Sequence, residues 1–280
     1  MNLPITPLLW LNGRLEPMAT ARIDPADRGW TLGDGVFETL YCAAGSVAHL
    51  AAHLARLAEG ARVLDLPPLP AENELAAAVA ATLAANHLEC GPAVVRLTAT
   101  RGIAARGLLP PAQPQPTLMI TTTAAPPLSA EPISAVIATV TRRNELSPLS
   151  RIKSLNYLDG ILAKIEARDR GAEEAILLNT RGLVAETTIA NLLAVIDGRL
   201  VTPPVSDGAL PGIIRRVLLE HAEAIEAPLT VAELLRADEV MVCNSLGLRP
   251  VVAIDRQPVG GSGTPGPVFA RLTATGLLTG

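Results

Sequence analysis

The 280-residue chain is 49% hydrophobic with a formal net charge of -4, a composition that supports a sizeable core and excludes a disordered chain. Two Trp, two Tyr and two Phe, with no basic run, argue against a nucleic-acid surface. The longest alanine- and leucine-rich run, Leu75 to Ala85, contains Thr82 and is too short to cross a bilayer. The opening MNLPITPLLWLNG has no basic region ahead of its apolar residues, so no secretory signal is expected and a cytoplasmic location is. Cys42, Cys90 and Cys243 are odd in number and far from any His in ligand spacing, which reads as reduced, buried thiols and no metal site. Small-molecule chemistry is the class left open.

In chain order, Leu8 to Leu11, Asn12-Gly13 and Arg14 to Glu16 spell a β-hairpin. Gly33-Asp34-Gly35 opens a β-rich run from Val36 to Cys42 that ends at the Ala44-Gly45 turn. No GxxxxGK[ST] is present and no GxGxxG lies between a strand and a helix, so these glycines read as a tight turn rather than a nucleotide cradle. HLAAHLARLAEGARVLDL is helical by Leu50, Leu54, Leu57 and Val63, with His53 and Arg56 on neighbouring turns. Arg56 beside a Gly-rich strand is either a phosphate ligand or a charge that solvates a helix face. A second helix from Glu72 to His87 precedes the strand Ala93 to Thr100. Arg101 and Arg106 follow on a proline- and glycine-bearing loop, where they are either a grip for carboxylates or surface charge. The strand Thr117 to Thr123 completes a smaller domain over 1–123, and AAPPLSAEP is an interdomain linker over 124–132.

The larger domain, 133–280, begins with the strand Ile133 to Thr141. Ala175 to Asn179, Leu183 to Thr187, Asn191 to Ile196 and Arg199 to Thr202 read as a meander of short strands with hairpin turns. Glu186 ends one of them and points either to water or to a cofactor nitrogen. Pro211 and Gly212 mark a helix start whose backbone N–H groups suit an anion. Thr230 and Glu233 form a capping box, and the strand Glu239 to Cys243 runs into the polar turn Asn244-Ser245-Leu246-Gly247 before a further strand from Arg249 to Asp255. A short helix starts at Pro267.

Lys153 stands apart. Lys153 and Lys164 are the two lysines of the chain; the other basic positions are arginine. A guanidinium supplies charge as well as an ammonium does, but it stays protonated and cannot be the amine of a Schiff base. Leu155, Leu158, Ile161, Leu162 and Ile165 recur at helical spacing, which predicts an amphipathic helix with Lys153 at or just before its N-terminus. There the helix dipole and partial burial would disfavour the ammonium. The stretch alone leaves a solvated surface charge equally open.

The ordered set RGWTLGDGVFETL, HLARL, RLTATRGIAARGLLPP, RRNELSPLSRIKSLNYL, GAEEAILLNTRGLVAETTIANLLAV, GALPGIIRR and CNSLGLRPV resembles the fold-type IV pyridoxal-phosphate enzymes over nearly the whole chain. RRNELSPLSRIKSLNYL, RGLLPP and NSLGLRPV look most like the 4-amino-4-deoxychorismate lyases of that group. The resemblance implies a two-domain α/β (α+β) fold with pyridoxal 5'-phosphate in the cleft between the domains, and a homodimer. It implies that Lys153 bonds to the cofactor and shuttles protons, and that Glu186 faces the pyridine nitrogen. Arg56, the backbone of Ile213 and Ile214, and Ser245 with its neighbour Asn244 would hold the phosphate, and Tyr157 would approach the phenolic oxygen. Ile214 stands where many relatives have Thr, so its contact is backbone only.

On this resemblance the chain is a carbon–oxygen lyase. It would eliminate pyruvate from 4-amino-4-deoxychorismate to give 4-aminobenzoate for folate synthesis, with Arg101, Arg106 and Arg249 as cations for the substrate's carboxylates. The alternatives are an aminotransferase of the branched-chain or D-amino acid type, using the same Lys153 and Glu186, and a non-catalytic homologue.

Overall fold

Asn12 and Gly13 adopt φ values of 47° and 94°, the left-handed conformations that a two-residue hairpin needs, and so close β1 (Leu8–Leu11) onto β2 (Arg14–Pro17). In this computed structural model, which describes residues 7–125 and 130–276, the chain forms two compact units. The first comprises Met1–Pro127 and Ile152–Asn156, the second Leu128–Arg151 and Tyr157–Gly280. The linker reading over 124–132 falls partly on residues 126–129, and the leader reading largely on residues 1–6. Both stretches lie outside the described residues.

The first unit is a six-stranded sheet in the order β2-β1-β6-β5-β3-β4, with β3 Gly35–Ala43, β4 Ser46–Val47, β5 Ala93–Thr100 and β6 Thr117–Ala124. A short helix α1 (Arg28–Leu32) precedes β3, and Asp27 caps it by accepting from the N–H of Gly29. Helices α2 (Leu50–Val63) and α3 (Glu72–Ala85) cover one face. Leu54, Leu57, Leu75, Val79 and Leu83 meet Val36, Leu40, Val95 and Leu97 there in one buried apolar cluster. Alternation along β3 sends every second side chain into this core.

The second unit is a nine-stranded sheet, β12-β11-β10-β13-β14-β7-β8-β9, with β15 paired to β14. Its strands are β7 Ile133–Ile137, β8 Glu174–Leu178, β9 Val184–Thr187, β10 Asn191–Ile196, β11 Arg199–Thr202, β12 Ile225–Glu226, β13 Glu239–Asn244, β14 Gly247–Ile254 and β15 Gln257–Pro258. The expected meander is instead two separate hairpins. β8–β9 lies at one edge, and β10–β11 lies on the far side of β13 and β14, because β10 pairs with β13 rather than with β9. Helices α4 (Leu158–Asp169), α5 (Ile213–His221), α6 (Val231–Leu234) and α7 (Pro267–Ala274) complete the unit. The Thr230–Glu233 capping box forms as the sequence requires. Among the described residues no helix is long and apolar enough to cross a membrane.

The structure corrects two expectations. First, the Lys153 segment is expected in the larger domain, yet Ile152–Asn156 belongs to the first unit. It runs beside the open edge of β3, where Leu155 N–H donates to Gly35 O at 3.0 Å and Ser154 bridges Val36. Lys153 is therefore in an extended strap, five residues ahead of the first residue of α4. A helix dipole acts only over the terminal turn, so it gives no account of this amine. Second, α4 packs through the other side of its helix. Ala163 and Ala167 are buried against Val136, Ala138, Ala175 and Leu177, whereas Leu158 is 75% exposed and Ile161, Leu162 and Ile165 are exposed with it. The alanine side of the helix is the one that meets the sheet, which leaves the aliphatic row outward.

Candidate active site

In the first unit the site is built on β3. Consecutive strand residues face opposite ways, and Phe37 and Glu38 use this difference. The N–H of Phe37 donates to the carbonyl of Lys153 at 2.9 Å, and the half-buried Lys153 puts Nζ 4.5 Å from the centroid of the Phe37 ring. Arg96 on β5 places its Cζ 3.8 Å from the same centroid. On the helix-covered face Glu38 is fully buried. It accepts from Arg56 Nε and Nη2, each at 2.7 Å, and its Oε2 lies 2.7 Å from His53 Nδ1. Arg56 thus comes to the site already paired.

Gly35 has a steric reason to be glycine. A Cβ there would lie 2.5 Å from Ala99 O on β5 and 2.9 Å from Leu155 Cδ1, so a side chain would collide with the backbone of the neighbouring strand.

The expected arginine grip dissolves in part. Arg101 is buried, with Nε and Nη2 on the Asp34 carboxylate and further donations to the carbonyls of Leu64 and Asp65. Those bonds brace the end of β5 against the turn after α2, and the assignment of Arg101 as a substrate cation is corrected accordingly. Arg28 shares the Asp34 carboxylate at 2.7 Å and reaches the carbonyls of Gly107 and Leu108. Burial pushes the Asp34 carboxyl up, and the hydrogen bonds from Arg101 and Arg28 outweigh it, holding the group below the usual carboxylate range. Arg106 is exposed on the following loop and lines a cavity of about 490 Å³ with Arg28, Thr31 and Leu32.

In the second unit Glu186 is buried near the end of β9. Arg143 Nε lies 3.0 Å from Oε1, and Oε2 accepts from Leu210 N–H at 2.9 Å and from Asn191 Nδ2 at 3.5 Å. Asn191 also donates to Leu210 O at 2.9 Å. A Cβ on Gly212 would sit 1.9 Å from Asn191 Oδ1, so only glycine lets the chain pass this close. One loop thereby joins the carboxylate to the start of α5. That helix begins at Ile213 with Gly212 as N-cap and no side-chain cap, so the N–H groups of Ile213 and Ile214 are presented as anion donors. The Asn244–Ser245 turn follows Cys243, the register partner of Asn191, and Asn244 Oδ1 accepts from Leu246 N–H at 2.8 Å to shape it. Tyr157 is the N-cap residue of α4, with Gly160 between it and Thr188. Arg249 on β14 donates to Glu131 O at 3.1 Å and lies beside Glu173. That one bond engages Nε at a half-buried position.

The donor set fits pyridoxal phosphate. The first unit offers a half-buried primary amine, and the second a carboxylate paired with an arginine and an N–H and a helix start with no side-chain cap near a serine turn. Sequence reasoning misses Glu38, Arg96, Arg143 and Asn191. A signal exists for the first two, since each is a charged residue inside an otherwise uncharged strand, GVFETLY or AVVRLTAT.

The Amino-transferase class IV family model matches residues 35–254. A putative branched-chain-amino-acid aminotransferase of Methanocaldococcus jannaschii is 36% identical over 254 residues, covering 88% of this chain and 88% of that protein. An aminodeoxychorismate lyase of Vibrio harveyi is 30% identical over 88% of this chain and 91% of its own length. The solved structure of the Escherichia coli branched-chain amino acid aminotransferase superposes with a TM-score of 0.89 at 28% identity, covering 96% of this chain and 92% of that one. A second solved branched-chain amino acid aminotransferase, with pyridoxamine 5'-phosphate, superposes with a TM-score of 0.90 at 28% identity, covering 98% of this chain and 94% of that one. The chain belongs to the class IV amino-transferase family, a family of pyridoxal-phosphate enzymes.

Proposed function

We propose that the protein transfers an amino group between an amino acid and a 2-oxo acid, the donor being an aliphatic amino acid of the kind named for its branched-chain relatives. The observation that carries this reading is the pattern of arginines. A dicarboxylate such as 4-amino-4-deoxychorismate calls for two cations, and Arg101, one of those the resemblance offers, is buried on Asp34. Arg96 shares the Phe37 ring with Lys153. A cation on the same ring as the amine suits the carboxylate of an amino acid.

Pyridoxal phosphate, when bound, supplies an electron sink for the carbanion left when the α-carbon loses its proton. Lys153 is the amine that bonds to it. Lys153 Nζ would also be the base that holds and moves the substrate's α-proton. Glu186 would stand at the ring nitrogen, with Arg143 and Leu210 N–H as its own partners. Arg56 in the first unit, and in the second the N–H groups of Ile213 and Ile214 and Ser245, are the residues that would hold the phosphate. Tyr157 addresses the phenolic oxygen, and Arg106 remains available to a second acidic group on the acceptor.

The second reading is the lyase, favoured by the 30% identity to the Vibrio harveyi enzyme. There Lys153 would remove the same proton, and pyruvate and 4-aminobenzoate would leave in equal amounts. One experiment separates the two. The protein is incubated with leucine and 2-oxoglutarate, and in parallel with 4-amino-4-deoxychorismate and no acceptor. Glutamate formation in the first arm supports the transaminase; equal release of pyruvate and 4-aminobenzoate in the second overturns it in favour of the lyase.

A homodimer is part of the proposal. The exposed aliphatic row of α4, Leu158, Ile161, Leu162 and Ile165, is an apolar surface of the sort that subunits cover. Light scattering at twice the 29.1 kDa chain mass would bear it out.

A further inference from the structure

Glu38 is 0% exposed, on the face of β3 that α2 covers. A carboxylate in that position is costly to bury unless it is fully paired. Two residues one turn apart on α2 answer it: Arg56 donates side-on from Nε to Oε1 and from Nη2 to Oε2, and His53 Nδ1 lies against Oε2, each at 2.7 Å. Burial pushes the Glu38 carboxyl up, and the bonds from Arg56 and His53 more than offset it, so the group stays below the usual carboxylate range. A side-on fork engages one edge of a guanidinium and fixes its plane. Glu38 takes no part at the other edge. An apolar pair would tie α2 to β3 with less desolvation, so what the buried carboxylate adds is direction.

We propose that Glu38, backed by His53, is a positioning residue that holds the Arg56 guanidinium in the one orientation in which it receives the cofactor's phosphate. This rests on the reading of Arg56 as a phosphate ligand. Arg56 alone on a helix samples many rotamers and would lose that freedom on binding. Clamped at Nε and Nη2, it has lost it on folding.

The test uses the full chain, dialysed to equilibrium against graded pyridoxal phosphate or pyridoxal, with occupancy read by absorbance. The ratio of the two dissociation constants isolates the phosphate contribution, whereas a general loss of structure or of the Lys153 bond weakens both alike. Arg56→Gln is expected to lower the ratio. Glu38→Asp, which keeps the charge and withdraws the carboxylate by one methylene, and Glu38→Gln should each lower it about tenfold, and neither should lower it further in the Arg56→Gln background. If Arg56→Gln leaves the ratio unchanged, Arg56 does not hold phosphate and the underlying reading fails. If Arg56→Gln lowers it while the Glu38 variants leave it unchanged or raise it, that reading stands and the positioning role is overturned. Should Glu38→Gln not fold, Glu38→Asp and His53→Gln carry the same comparison.

Discussion

The N–H of Phe37 donates to the carbonyl of Lys153 at 2.9 Å, while the Lys153 amine nitrogen lies 4.5 Å from the centre of the Phe37 ring. One residue of β3 thus fixes both the main chain and the side chain of the lysine. The relationship makes the amine's position a property of the first sheet, not of the helix that follows it in sequence.

Replacing Lys153 therefore separates chemistry from folding. Lys153→Ala and Lys153→Arg should both abolish the absorbance of covalently held cofactor and reduce turnover by at least about a thousandfold. Thermal melts should show Lys153→Arg close to the native chain, since the guanidinium keeps the ring contact. Turnover in Lys153→Arg near the native rate would remove the lysine from the chemistry.

Gly212→Ala brings a Cβ to within 1.9 Å of Asn191 Oδ1. The overlap should cost about 1–3 kcal/mol of stability and weaken cofactor binding, because it displaces the start of α5. Adding Asn191→Ala removes the obstruction, so the double variant should recover part of the melting temperature. Purely additive losses in the pair would show that the contact is not the cause.

Arg101 and Arg106 should part company. Arg101→Ala leaves Asp34 with Arg28 as its remaining arginine partner in a buried setting and should cost about 3–5 kcal/mol. Arg106 is exposed, so Arg106→Ala should change stability by less than about 0.5 kcal/mol and show its effect in the Michaelis constant of an acidic acceptor. Denaturant melts with initial-rate kinetics on both variants check this. Equal stability losses would refute the division.

Glu166 provides a pH signature. Burial pushes its carboxyl up, but the N–H groups of Thr139 and Val140, the Thr139 hydroxyl and Arg170 outweigh that and bring it from an ordinary 4.5 to about 2. A folded-state value below the unfolded one means that the stabilisation is complete above the unfolded value and is lost as pH falls from about 4.5 towards 2. Glu166→Gln should lower stability at neutral pH by about 1 kcal/mol, the side chain lying at a solvent-screened rim, and should flatten the acid limb of the melting curve. An acid limb with unchanged slope would assign the dependence to other carboxylates.

How much of this was legible varies with the range of the interaction. The Asn12-Gly13 hairpin, the Thr230–Glu233 box and the helix start after Gly212 each depend on residues within a turn of one another, and the sequence specifies them directly. Lys153 could be singled out because no arginine can do the chemistry of an amine. That Arg56 pairs with Glu38 and Arg101 with Asp34 could not be read, since each carboxylate is distant in sequence.

By itself, then, the sequence determined the local elements, the residue types able to do carbonyl–amine chemistry, and through its ordered motifs the family. Only the tertiary structure decided that Ile152–Asn156 joins the first unit, that α4 turns its leucines and isoleucines outward, and which arginines are braces. Periodicity and capping are set by neighbours along the chain. Burial and ion pairing are set by neighbours in space, and a stripe of apolar residues or a lone arginine carries no record of which surface it will meet.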